Sequence, residues 1–152
     1  MKVKEIMTRS VGTCSPADSL ADAVAVMWEM DCGAVPILID DKPVGIVTDR
    51  DIAIALTTRN AVASDVSVCD VIGRNLVTCG EKEKATKALK KMERFGVRRL
   101  PVVNKKGRLT GLVALSDIIN ASGKNKKLRK KVLKTLQAIS KPHPIVLFEK
   151  AE

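Results

Sequence analysis

The chain has 152 residues, 27 of them Lys or Arg against 17 Asp or Glu, for a net charge of +10 with a single histidine. That length suffices for one substantial core; no run approaches the ~20 apolar residues of a membrane span, no signal-peptide pattern opens the sequence, and a soluble, cytoplasmic protein is expected. His143 stands between Pro142 and Pro144 without a partner set, and Cys14, Cys32, Cys69 and Cys79 show no C-x-x-C spacing, so metal binding is not expected and the cysteines read as small core residues in a reducing compartment.

In chain order, Ser15-Pro16-Ala17-Asp18 reads as a helix start, with serine at the cap, proline in the first turn and a carboxylate three residues on. Leu20, Ala23, Val24, Met27 and Met30 then recur at helical spacing until Gly33 ends the run. Trp28 stands beside that stripe, at a packing edge or a subunit contact. Ala34 to Ile39, with Pro36 inside it, predicts an edge-type strand. Asp40-Asp41-Lys42-Pro43 turns the chain, Val44 to Val47 returns as a second strand, and Thr48 to Leu56 predicts a helix. After a short polar connection from Thr57 to Ser67 the order repeats. A helix is expected over Glu81 to Phe95, with Ala85, Ala88, Leu89, Met92 and Phe95 inward and Gly96 ending it. Strands follow over Leu100 to Val103 and Leu109 to Val113, then a helix over Leu115 to Ala121. Seven basic residues from Lys124 to Lys134 crowd a segment where Leu128, Val132, Leu136 and Ile139 recur, which predicts a basic amphipathic helix. Ile145 to Phe148 would add a terminal strand or a loose apolar tail.

The repetition is a true duplication. Ile6-Met7, Thr13-Cys14, Ala23-Val24, Met27 and Val35-Pro36-Ile37 answer Val71-Ile72, Thr78-Cys79, Ala88-Leu89, Met92 and Leu100-Pro101-Val102 at an offset of 65, and Gly45 and Asp51 answer Gly111 and Asp117 at 66. Units of about 55 residues bury little apolar surface alone and are expected to pack on one another, with a ligand cleft between them. The divisions are placed at 1–65, 66–121 and 122–152. Charge is unequal: residues 1–55 carry net −4 and the remainder +14, which suits an anionic ligand or partner or, equally, a solvated basic surface.

The helix-strand-strand-helix order and Gly45-Ile46-Val47-Thr48-Asp49-Arg50-Asp51 resemble the cystathionine-β-synthase (CBS) domain, here as a tandem pair over about residues 3 to 121. The signature Gly-hydrophobic-x-Thr-x-x-Asp is complete in the first copy and partial in the second, Gly111-Leu112-Val113-Ala114-Leu115-Ser116-Asp117. The resemblance implies an α/β (α+β) fold of two motifs, each a small sheet packed by two helices, related by a pseudo-twofold axis and assembling as a homodimer. It implies a regulatory module that binds adenosine-containing ligands (AMP above all, or ADP, ATP or S-adenosylmethionine) and signals to an unidentified regulated protein. Asp51 would accept ribose hydroxyls and Thr48 would meet phosphate, although Thr48-x-x-Asp51 is equally a capping pair. Arg98 and Arg99 would reach the phosphate of the nucleotide held by Asp51, with Gly33 and Ala34 close to the base and Met7, Thr8, Val11, Pro36 and Ile46 lining its slot. A second, weaker site would use Ile72, Leu76, Pro101, Leu112 and Asp117. There Ala114 replaces threonine and Ser116 is expected to point elsewhere.

No nucleophile with a base, no general acid–base pair and no metal set can be assembled, so catalysis is not expected and no cofactor is called for. Two other functions compete: a nucleic-acid binder using the basic second half and the Lys124–Lys134 segment, and a dimerisation module with vestigial clefts. Three aromatic residues, Trp28, Phe95 and Phe148, are few for base stacking.

Overall fold

The computed structural model describes residues 1–73 and 75–141, so His143 and the terminal strand expected at Ile145 to Phe148 lie outside the described residues. The elements are α1 (Leu20–Glu29), β1 (Ala34–Ile39), β2 (Lys42–Thr48), α2 (Asp49–Arg59), β3 (Cys79–Gly80), α3 (Ala85–Phe95), β4 (Arg99–Val103), β5 (Leu109–Ala114), α4 (Leu115–Ser122) and α5 (Lys126–Ile139). This is the mixed α/β architecture expected. β1 and β2 form one antiparallel hairpin, and β4 and β5 form another with β3 parallel beside β4.

The duplication holds down to single pairs. Pro36 faces Ile46 as Pro101 faces Leu112, and the hairpins shift register at equivalent places, Ile37/Leu38 and Val102/Val103. Pro36 is tolerated because β1 has a full ladder on one side only. On the other, Cys14 gives its N–H to the Pro36 carbonyl at 3.2 Å and takes the Leu38 N–H at 2.9 Å, which asks nothing of the missing proline N–H.

Each repeat opens with a short lead-in, and the two lead-ins are exchanged. Val3 and Met7 are buried in the second repeat's core with Leu89, Met92, Leu100 and Ile118, while Val66 and Val68 are buried in the first repeat's core with Leu20, Val35 and Ile37. Backbone bonds follow suit: the Val3 N–H donates to the Glu83 carbonyl at 2.8 Å and the Val68 N–H to the Asp18 carbonyl at 2.8 Å. Division of the chain at 65/66 separates the repeats in sequence; in space each core borrows from the other.

The exchange also sets where the helices begin. Ser15 makes only a turn, its N–H bonded to Asp18 Oδ2 at 2.7 Å, and α1 starts after Ser19, whose capping box is closed by Asp22. Ser19 is bridged to Ser67, and Lys84 to Lys2. A residue held extended in a bridge cannot be helical, so α1 and α3 each start one residue later, at Leu20 and Ala85, and Glu81 to Glu83 do not join α3.

Val24, Met30 and Phe95, expected inward, are exposed. The stripe that reaches the first core is Leu20, Ala23 and Met27, and Val24 instead shares the open side of α1 with Trp28, four residues on. Helix α5 lies on the second repeat with Leu128 and Val132 in its core. Thr135 is buried beside them and Leu136, expected there, faces outward. Among the described residues no helix is long and apolar enough to cross a membrane.

Candidate functional site: a cleft closed by both repeats

The chemistry collects where a strand runs directly into a helix. At the β2–α2 junction the Thr48 N–H donates to Asp51 Oδ2 at 3.0 Å, the Thr48 hydroxyl donates to the same oxygen at 2.6 Å, and the Asp51 N–H returns a bond to Thr48 Oγ1 at 3.2 Å. Both residues are therefore committed to capping α2. At the β5–α4 junction only half of this box exists. The Ala114 N–H donates to Asp117 Oδ2 at 2.7 Å, and with no hydroxyl at Ala114 that carboxylate takes no further hydrogen bond among the described residues.

Beside Asp117 lies a cavity of about 320 Å³. It is walled by Thr8, by Ser10 to Gly12, by Met30 to Ala34 and by Arg99, Leu112, Ala114, Ser116 and Asp117. The first repeat thus supplies one wall and the second the other. Thr8 is locked to β5, exchanging bonds of 2.9 Å in both directions with Leu112, and so the exchanged lead-in forms the floor. Gly111 permits this crossing: a Cβ there would stand 2.6 Å from the Thr8 carbonyl oxygen and 2.9 Å from Met7 Sδ. Gly33 leaves the space in which charged groups of the two repeats approach, since a Cβ on it would meet Asp49 Oδ2 at 2.7 Å and Arg99 Nη2 at 3.6 Å.

This grouping differs from the sequence expectation. Thr8, Val11, Gly33, Ala34 and Arg99, expected around Asp51, line the cavity of Asp117 together with Leu112. Thr48, Asp51, Ile46, Pro36 and Arg98 are not among its walls. The reason is the exchange, which carries residues 8–11 along β5 rather than along β2. Met7 is buried beneath Gly111 and Pro101 is buried in β4, while Ile72 packs on Gly45, where a Cβ would lie 2.5 Å from Ile72 Cδ1. Leu76 is half-buried ahead of β3. Ser116, expected to point elsewhere, lines the cavity. Ser10, Gly12, Met30, Asp31 and Cys32 were not signalled by any motif; the left-handed backbone of Asp31, φ 47°, turns the end of α1 into the wall. Among the described residues no group of three potential metal ligands is gathered.

A sequence model of the CBS domain matches residues 3–58 and again 68–124. The chain belongs to the CBS domain family. As a CBS pair it is 32% identical over 120 residues to the protein MK0525 of Methanopyrus kandleri, covering 78% of this chain and 61% of that protein. It is 32% identical over 117 residues to inosine-5'-monophosphate dehydrogenase of Korarchaeum cryptofilum, covering 77% of this chain and 23% of the enzyme. The chain thus spans less than two thirds of either relative. Among solved structures it resembles the CBS domain pair of protein MJ0100 in complex with 5'-methylthioadenosine and S-adenosyl-L-methionine, with a TM-score of 0.74 and 28% identity over 83% of this chain and 98% of that one.

Proposed function

We propose that this CBS pair is a regulatory module that binds an adenosine-containing ligand between its motifs and passes the occupancy to a partner protein. The observation that carries the reading is the cavity to which both repeats contribute. Its volume, about 320 Å³, lies at the low end of the roughly 300–1,000 Å³ of small-molecule sites, enough for one nucleoside-sized molecule. Asp117 is the ribose acceptor, Gly33 and Ala34 leave room for a base against the backbone, and Arg99 holds an anionic group. The likeness to a pair solved with two adenosyl ligands supports the class.

Charge narrows it. Among the described residues the one guanidinium lining the cavity, Arg99, is accompanied by the carboxylates of Asp31 and Asp117, and Ala114 offers no hydroxyl. A ligand with one phosphate or none, such as AMP or an adenosyl sulfonium, suits this lining better than ADP or ATP. Thr48, Asp51, Ile46 and Arg98 form the second proposed position, where ribose must compete with the capping bonds. Because the ligand touches both repeats, it favours one relative arrangement of them, and a partner that distinguishes arrangements reads the difference. A second copy is the proposed neighbour of the α1–α2 face, where Trp28 is 88% exposed beside an apolar hollow lined by Val24, Met27 and Ile52.

Calorimetric titration of the full chain with AMP, ATP, 5'-methylthioadenosine, S-adenosylmethionine and NAD tests the reading. Binding of at least one adenosyl ligand is expected, with Asp117→Ala weakening it by about 1–3 kcal/mol, roughly 5- to 150-fold. Absence of heat with all five, or an Asp117→Ala protein that binds like the parent, sinks it.

A further inference from the structure

The surplus positive charge gathers on one face of the second repeat, away from the cleft. Lys82, Lys87, Lys91 and Lys105 line a groove of about 590 Å³ on one side of the start of α3. Lys84, Lys127 and Lys131, with Met1, line another of about 210 Å³ on the other side, where α3 meets α5. Lys91 is committed to Glu83 at 2.9 Å. Among the described residues the other six lysines form no ion pair, and all six are exposed.

The first repeat is an internal control. Positions equivalent to Lys82, Lys87, Lys91 and Lys105 hold Ala17, Asp22, Val26 and Asp40, on the same backbone. Neither folding nor packing of the repeat therefore requires Lys82, Lys87 or Lys105. They also oppose local electrostatics: α3 and α5 have no acidic residue in their first turns, where ammonium groups add to the positive end of the helix dipole instead of offsetting it. α1 and α2 follow the rule, with Asp22 and with Asp49 and Asp51.

We infer that this strip is a nucleic-acid interface that holds the phosphate backbone without reading its sequence. Point charges spread over the β4–β5 turn, α3 and α5 suit a repeating polyanion. Among the described residues no aromatic side chain lines either groove, which argues against base stacking and the usual anchors of a protein interface. A membrane surface is disfavoured because Leu128 and Val132 of α5 are already buried in the core, and the large apolar residues that this helix leaves exposed, Leu133 and Leu136, form too narrow a face to insert among lipids.

The test is fluorescence polarisation of the full chain with labelled short DNA duplexes of two unrelated sequences. Both should bind alike at about 50 mM salt and lose about 100-fold in affinity by about 200 mM, as about four neutralised phosphates require. A variant carrying Lys84→Gln, Lys87→Gln, Lys127→Gln and Lys131→Gln should lose at least ~10-fold and show a shallower salt slope, with its thermal transition and adenosyl-ligand titration unchanged. Should that variant melt early, Lys82→Gln with Lys105→Gln, in the other groove, serves in its place with the same expected direction. No binding at low salt, undiminished binding by the folded variant, or equal displacement by polyglutamate of matched charge would each overturn the assignment.

Discussion

The first and second repeats share a backbone and part company in chemistry. Ser19 caps α1 where Lys84 precedes α3, Thr48 stands at one strand–helix junction and Ala114 at the other, and Val26 of the first repeat gives way to Lys91 in the second. What stays constant is the interior. Cys14 and Cys79 are both buried, each bridging to the strand after its proline, and Gly45 and Gly111 both lie under an exchanged lead-in. Positions that join the sheet to a lead-in tolerate little variation in size, whereas those that open to water have been free to change sign.

The sharpest way to break this comparison is to add one methyl group to each crossing. At Gly111 a Cβ meets a backbone carbonyl oxygen at 2.6 Å, and at Gly45 it meets the far end of the Ile72 side chain at 2.5 Å. A side-chain tip can rotate away and a paired backbone cannot. Gly111→Ala should therefore cost about 3 kcal/mol and Gly45→Ala about 1 kcal/mol, read from urea denaturation. Equal losses would mean that the two crossings are equally yielding.

Next in size is the contrast between the junctions. Asp117→Ala is expected to weaken adenosyl-ligand binding by the 1–3 kcal/mol given above, about twice the effect of Asp51→Ala or more. The reverse order in calorimetry would restore Asp51 as the principal ribose acceptor.

The third test uses alkali. Burial, then the nearby Glu83 carboxylate, pushes the Cys79 thiol up from its ordinary 9.0 to about 12, with Lys91 pulling the other way. A thiol whose folded value is raised holds its proton in the folded protein while the unfolded chain releases it. Stability should thus be intact below about pH 9 and fall between 9 and 12 by about 1.4 kcal/mol per unit of pH. Cys79→Ala should lower stability at neutral pH yet flatten that alkaline slope; an unchanged slope would show that other groups cause it.

The smallest effect concerns Lys91. Burial would raise the Glu83 carboxyl, but hydrogen bonds from Lys91 and from the Gly80 N–H outweigh it and hold it below the ordinary 4.5. Such a group stabilises above the unfolded value and loses that contribution as pH falls through the folded one. Lys91→Val, which imports the residue found at Val26, should cost about 1 kcal/mol near neutrality. The gap between variant and parent should close as pH falls below the folded carboxyl value; a gap that persists in strong acid would mean that the loss is one of packing.

Strands, signature turns and the pairing of repeats were legible because they rest on local pattern, the apolar runs around Pro36 and Pro101 and the 65-residue offset. The starts of α1 and α3 were not. Ser15-x-x-Asp18 and Ser19-x-x-Asp22 carry the same capping pattern, and the choice between them is made by the bridge from Ser67, nearly 50 residues away. Which residues line the cavity beside Asp117 was not legible for the same cause. Nothing near Gly33 indicates which aspartate it will face, because that depends on the path of a lead-in that leaves its own repeat.

That path has a consequence for the order of events during synthesis. As the polypeptide emerges from the ribosome, the first repeat can form its hairpin, but its core waits for Val66 and Val68. Meanwhile Val3 and Met7, made well before the second repeat, must stay unburied until Leu89, Met92 and Leu100 exist. Contacts this distant in sequence slow folding, and here they make it indivisible: the nascent first repeat has no finished state of its own, and the chain closes both halves in one late step.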